Sequence, residues 1–327
     1  MIFSGIASEF TLHVIVPAAL FQAAATMPWP AIQIPSRIAR LAICIAAAGV
    51  AILAEVLLWP EAKIVRGFMA VLALLLALRV YSYCRSAAQG GFLNYVRFLS
   101  LGLLSPHLVY SPSEHAVRRR TPFGVDILRL AASATTAVVL FYLTRQLIFT
   151  QAAINSWLVN DLIITVGFVF IVQAVGQAFF GLWRLLGIRS HPLMDNILLS
   201  RTPADFWRRW SWPIHLWLYR YVYVPAGGNA HRLKATLSAF LISGLQHELL
   251  VFLAIGRITG HQTAFFMLNA FGVIASPAME RFARRGILAQ SLMRLTTILF
   301  LAATASLMFI TFNYIFPIYQ QKIWLMW

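Results

Sequence analysis

The sequence predicts an all-α protein, a polytopic transmembrane helical bundle of about eight spans with re-entrant or interfacial helices beside them. Three observations predict it. Of 327 residues, 60% are hydrophobic and only 11% are charged, where a soluble domain would carry about 25% charged residues. The apolar residues fall in runs of roughly twenty, the length that crosses a bilayer core as a helix. Basic clusters and prolines separate the runs.

The first span is read at 10–27, without the basic stretch ahead of it that opens a cleavable signal. Pro28-Trp29-Pro30 and Pro35 end it, because proline lacks an N–H and restrains the residue before it. The second span, 38–58, stops at Trp59-Pro60, and the third covers 64–83. The apolar loop Gly91–Tyr110 follows and reads as a re-entrant or interfacial helix. Spans at 124–143 and 157–180 come next. Phe206–Val224 sets tryptophans and tyrosines among arginines, as an amphipathic segment at a membrane surface does, with a kink at Pro213. Spans at 234–255, 261–279 and 295–317 complete the series. The whole chain, 1–327, reads as one integral-membrane domain, with neither an internal repeat nor a low-complexity tract.

A net charge of +16 would suggest nucleic acid in a soluble protein. In this chain Lys and Arg mark cytoplasmic loops, and no nucleic-acid partner is expected. With the N-terminus outside, the inside loops hold Arg37 and Arg40, Arg85 and Arg97, Arg118-Arg119-Arg120, the arginines from Arg184 to Arg232, and Arg281, Arg284, Arg285 and Arg294. The outside segments hold only Lys63, Arg66, Arg145, Arg257 and Lys322. This asymmetry places both termini outside, and a bacterial inner membrane is the expected location. Cys44 and Cys84 are isolated thiols in apolar helices and read as packing residues, with no disulfide framework.

Two stretches carry chemistry. The first is Ser243-Gly244-Leu245-Gln246-His247-Glu248 inside the span 234–255. An ionisable pair at membrane depth is costly and marks a functional site by default. By helical rise His247 lies roughly 20 Å from the cytoplasmic edge. There a neutral imidazole can take a proton from an alcohol and return it to a leaving group. Glu248 points about 100° away, so it is expected to pair with another helix, and Gly244 allows a close approach of backbone or substrate. The second stretch is Thr202-Pro203-Ala204-Asp205-Phe206-Trp207-Arg208-Arg209-Trp210. Thr202, Pro203 and Asp205 have the form of a helix start. Arg208 and Arg209 suit phosphates, or else an aromatic-basic belt. Downstream lie Ser211, His215, Arg220, Tyr223 and a Gly227-Gly228 turn, with Ser211 and His215 on one helical face if Pro213 permits. No metal is expected, since neither H-E-x-x-H nor another ligand spacing occurs, and the G-x-S-x-G elbow of serine hydrolases is absent.

Taken in order, Pro203–Trp210, Leu218–Pro225 with Gly227-Gly228, and the intramembrane histidine resemble the membrane-bound O-acyltransferase family. The run Ser243-Gly244-Leu245-x-His247-Glu248-Leu249 is most similar to its wax-synthase-like branch, and Asp205–Trp210 is equally similar to bacterial polysaccharide O-acetyltransferases. The resemblance covers about 190–255. It implies a bundle around a central tunnel, with acyl-CoA as co-substrate, no tightly bound cofactor, and a hydroxyl-bearing acceptor: a lipid alcohol, a secondary metabolite or a glycan. His247 matches the family's histidine, the general base. Asp205, Trp207, Arg208, Arg209, Trp210, Arg220, Tyr223, Ser243, Gly244 and Glu248 are the expected substrate and acyl-CoA neighbours. The family has Asn or His directly after the F-W-x-x-W run, where this chain has Ser211. Either Ser211 bonds to substrate, or His215 fills the second catalytic role one turn later. Membrane lipids are expected partners, and a glycan acceptor would call for an extracytoplasmic or membrane partner protein. The competing reading is a transporter or a non-catalytic lipid-binding relative that uses His247 and Glu248 as a proton relay or structural pair.

Overall fold

The computed structural model describes residues 11–31, 34, 36–58, 62–85, 92–99, 108–109, 123–186 and 192–315. Among the described residues every regular element is helical. This is what hydrocarbon demands, because a helix satisfies its own backbone groups. The chain divides into two compact units: Met1–Val117 with Leu249–Ile258, and Arg118–Glu248 with Thr259–Trp327.

In the first unit, α1 (Val16–Thr26), α2 (Arg37–Val56), α3 (Lys63–Arg85) and the short α4 (Phe92–Leu99) pack around Tyr83, Tyr95 and Phe98. Ser36 starts α2 by accepting from the Ala39 N–H at 3.3 Å. Arg79, which the sequence places inside a span, is 2% exposed. It donates to the Phe98 carbonyl, with its guanidinium 5.7 Å from the Phe98 ring centre. Cys44 of α2 and Cys84 of α3 are joined as a disulfide. That corrects the reading of two separate packing thiols: α2 and α3 lie side by side, so cysteines 40 residues apart in sequence meet. The helix expected within Gly91–Tyr110 exists as α4, and most of the remainder of that loop lies outside the described residues.

In the second unit, α5 (Phe123–Ile148) and α6 (Trp157–Leu185) form a long pair, then α7 (Pro203–Arg209) and α8 (Trp212–Leu218) make a corner. The corner is followed by a widened turn, Tyr219–Tyr223, and by α9 (Arg232–Ile255), α10 (His261–Ala283) and α11 (Ile287–Ile315). α5 and α6 approach closely because Gly181 has no side chain. A Cβ there would sit 3.2 Å from the Leu130 nitrogen and 3.3 Å from the Asp126 carbonyl. The segment Phe206–Val224, expected to be kinked at Pro213, is in several pieces. Pro213 opens α8, where its missing N–H costs nothing. The break falls at Ser211, whose φ of 42° is left-handed.

All eight expected spans contain a helix. Six helices are long and apolar enough to cross a membrane: α2, α3, α5, α6, α9 with its leading turn, and α11. The six meet length and apolarity among the described residues, and the count of eight is not confirmed. α1 is short, and α10 carries Gln262, Asn269 and Ser276 along one face. The protein is an integral, multi-pass membrane protein.

Candidate active site

The site is built on α7, α9 and α10 within the second unit. Thr202 caps α7 by accepting from the Asp205 N–H at 3.2 Å, and Pro203 occupies the first turn, as the sequence predicts. Asp205 is 8% exposed. Its Oδ2 accepts from the Arg201 N–H at 3.2 Å, and its Oδ1 accepts from Arg208 at 2.5 Å and Arg209 at 3.0 Å. Burial pushes this carboxyl up, but the hydrogen bonds from Arg209, the Arg201 N–H and Arg208 outweigh it and hold it below the usual carboxylate range. Asp205 thus both starts the helix and fixes two arginines.

Those arginines line a cavity of about 520 Å³. Its wall is made by Arg201, Thr202, Asp205, Arg208 and Arg209 from α7 and the residues leading into it, and by Glu280, Arg284, Gln290 and Arg294 from the end of α10 and the start of α11. The Nε of Arg294 is buried with no hydrogen-bond partner among the described residues. Arg284, Gln290 and Arg294 escaped sequence reasoning. They were counted only as inside-loop charge, or not at all, because nothing in their spacing joins them to α7.

The opposite end of α10 meets α9 beside His247. His247 Nδ1 lies 2.8 Å from the Ser243 carbonyl. A carbonyl only accepts, so Nδ1 carries the proton and Nε2 keeps its lone pair. The half-buried imidazole rests against the Phe266 ring, with centres 4.4 Å apart. Gly244 permits this approach: a Cβ there would fall 2.9 Å from the Thr263 Cα and 3.3 Å from the Phe266 Cβ. Glu248 does not bond to His247. Its Oε1 accepts from the Thr259 N–H at 2.5 Å, the Gly260 N–H at 2.7 Å and the Thr259 hydroxyl at 3.0 Å, and its Oε2 accepts from the Gln262 N–H at 3.1 Å. Gly260 is the cap position of α10 and has no side chain to satisfy the first turn. Glu248 supplies the missing carboxylate from the neighbouring helix.

Trp207 joins the two ends. Its indole packs on Phe240 and Phe266, each with centres 5.5 Å away, and on Phe265 at 6.1 Å. Its Nε1–H donates to Asn269 Oδ1 at 3.1 Å. Trp210 meets the edge of Trp207 at 6.2 Å, stacks on Phe206 at 5.5 Å and lies near Phe168 at 6.1 Å. Phe266 and Asn269 were missed by the sequence. The available signal was the seven-residue spacing of Gln262, Asn269 and Ser276 in an otherwise apolar helix.

The remaining expected residues lie elsewhere. Ser211 forms the corner before α8 and makes no side-chain cap bond. His215 lies on α8; desolvation of its ring, then the Arg208 charge, holds its pKa below the ordinary histidine value. Among the described residues no hydrogen bond links either to His247. Arg220 sits 5.8 Å from the Tyr221 ring centre, Tyr223 stacks on Tyr219 and donates to Asn229 at 3.0 Å, and Gly227 and Gly228 make the expected turn with φ of 112° and 54°.

The chain is 25% identical over 163 residues to diacylglycerol O-acyltransferase 1-1 of Oryza sativa subsp. japonica, covering 46% of this chain and 30% of the relative. It is 31% identical over 137 residues to probable long-chain-alcohol O-fatty-acyltransferase 3 of Arabidopsis thaliana, covering 38% and 40%. It is 25% identical over 202 residues to probable long-chain-alcohol O-fatty-acyltransferase 1 of the same plant, covering 57% and 56%. The chain thus spans about a third to just over half the length of these relatives. The family model of the membrane-bound O-acyltransferases matches residues 90–311, which include α7, α9 and α10 with the histidine, and the chain belongs to that family.

Proposed function

We propose that this protein is a membrane-embedded O-acyltransferase that moves an acyl group from acyl-CoA to the hydroxyl of a lipid alcohol. The observation that carries the reading is the placement of two features at opposite ends of α10. The free Nε2 of His247 lies at the Phe266 end, and the arginine-walled cavity lies at the Glu280–Arg284 end. The fourteen to eighteen residues between them correspond to roughly 20–27 Å of helical rise. An extended pantetheine arm suits that separation, with the nucleotide phosphates held by the guanidinium groups. Acyl-CoA is a co-substrate in this reading, and no tightly bound cofactor takes part.

His247 Nε2 takes the proton of the acceptor O–H as the oxygen attacks the thioester carbonyl. The tetrahedral intermediate collapses, the C–S bond breaks, and the imidazolium returns the proton to the departing CoA sulfur. The products are an ester and free CoA. The Nδ1–H bond to Ser243 holds the ring in the tautomer this cycle requires. A lipid acceptor is favoured over a glycan by the names of the relatives, which are diacylglycerol and long-chain-alcohol acyltransferases. In this reading Ser211 bonds to substrate from the α7–α8 corner, or His215 fills the second catalytic role one turn later. The orientation proposed with it has both termini outside, in a bacterial inner membrane.

The test is CoA release from acetyl-, octanoyl- and palmitoyl-CoA by purified protein in nanodiscs, with and without fatty alcohols, diacylglycerol, sterols and sugars. Acceptor-dependent release is expected, and His247→Ala should lower it by about 10²-fold or more, the scale of general-base catalysis. A His247→Ala protein with full turnover would overturn the mechanism. No release from any pair by folded wild-type protein would favour a transporter or lipid-binding role.

A further inference from the structure

Asn269 is 0% exposed in the middle of α10. A buried carboxamide is costly unless its bonds are met, and a leucine of similar size would fill such a position with no such requirement. Here the bonds are met by three elements. Nδ2 donates to the Phe265 carbonyl at 2.9 Å in its own helix and to the Thr304 hydroxyl of α11 at 3.3 Å. Oδ1 accepts from the Trp207 indole of α7 at 3.1 Å. The amide orientation is unambiguous, because an indole only donates and a carbonyl only accepts. Aromatic packing alone leaves an indole free to slide or flip, whereas one directed bond selects a single rotamer. That rotamer sets the face Trp207 presents to Phe266, and Phe266 is the ring on which His247 rests.

We propose that Asn269 is a positioning residue for the transfer reaction: by holding the Trp207 indole it fixes Phe266 and, through it, the His247 imidazole. The proposal rests on the acyltransferase reading for its kinetic consequence and on the Asn269–Trp207 bond for its structural one. It differs from a merely stabilising role in where the effect appears. Acyl-CoA binding is governed at the other end of α10, so KM for acyl-CoA should hold while kcat falls.

The experiment uses the full chain in nanodiscs, labelled with 5-fluorotryptophan and observed by ¹⁹F NMR. Trp207→Phe assigns the Trp207 resonance by its disappearance. Asn269→Leu should shift that resonance and lower kcat about tenfold with KM for acyl-CoA within about twofold. Trp207→Phe should lower kcat similarly, and the double variant should be no worse than either single one. Thr304→Val, which removes the other partner of the amide, should leave the resonance and kcat near wild type. If Asn269→Leu does not fold, Trp207→Phe carries the kinetic test alone. An unmoved resonance in Asn269→Leu, an undiminished kcat in either variant, or multiplying effects in the double variant would overturn the proposal. Wild-type protein that releases no CoA would instead overturn the acyltransferase reading, with the ¹⁹F shift still reporting on the Asn269–Trp207 bond.

Discussion

At the scale of single residues, Asp205 shows how one side chain can serve two ends. It closes the start of α7 and holds Arg208 and Arg209 where the cavity needs them. Because its folded pKa is depressed, the stability it contributes is present above the unfolded carboxylate value of about 3.9 and is lost as pH falls through the lower folded value. Wild-type protein should therefore lose thermal stability between about pH 5 and pH 2, and Asp205→Asn should start lower at pH 7 and vary less over that range. A variant whose melting temperature tracks the wild type across the series would show that the pairs contribute nothing. The helix start at Thr202, Pro203 and Asp205 was legible in the sequence, since it follows from spacing within one turn. Asn269 was not, because its partner is 62 residues upstream and only packing brings them together.

At the scale of elements, α10 depends on a cap from outside itself. Removing a side-chain cap costs about 0.5–2 kcal/mol. Glu248 accepts from three backbone N–H groups and a hydroxyl in a buried setting, so Glu248→Ala should sit at the upper end, about 2 kcal/mol. The loss should appear as a lower unfolding temperature in detergent, together with reduced turnover, since Thr263 and Phe266 follow the cap directly. A stable but inactive Glu248→Ala protein would instead assign the carboxylate to substrate. The sequence indicated that Glu248 turns away from His247, from the 100° step of a helix. That it meets a helix start with glycine at the cap position depends on the α9–α10 turn, which leaves little trace in composition. The Ser211 corner was hidden for a related reason: a left-handed serine is uncommon, and Pro213 drew attention to the wrong residue.

At the scale of the whole molecule, hydropathy and proline breaks located every long helix, because hydrocarbon permits so few alternatives. Six of the eight expected spans meet both length and apolarity among the described residues, while α1 is short and α10 carries a polar face. The disulfide between Cys44 and Cys84 escaped notice because helical register across two spans is set by packing rather than by local sequence. The orientation proposed from the distribution of Lys and Arg can be tested with fusions. Alkaline phosphatase joined after Phe149 should be active, and joined after Ile188 inactive. The opposite pattern would place the arginine-walled cavity on the side away from cytoplasmic acyl-CoA.

The residues that prepare the base are near one another along the chain. Ser243, His247, Glu248, Gly260 and Phe266 fall within 24 consecutive positions of two successive helices. Contacts of such low sequence separation form early and fast, ahead of those that must close long loops. His247, its hydrogen bond to Ser243 and the cap beside it can thus be assembled as α9 and α10 pair, before α11 is in place. Docking of the hairpin onto α7, made earlier in synthesis, would then be the step that completes the site, with Trp207 and Asn269 as its latch.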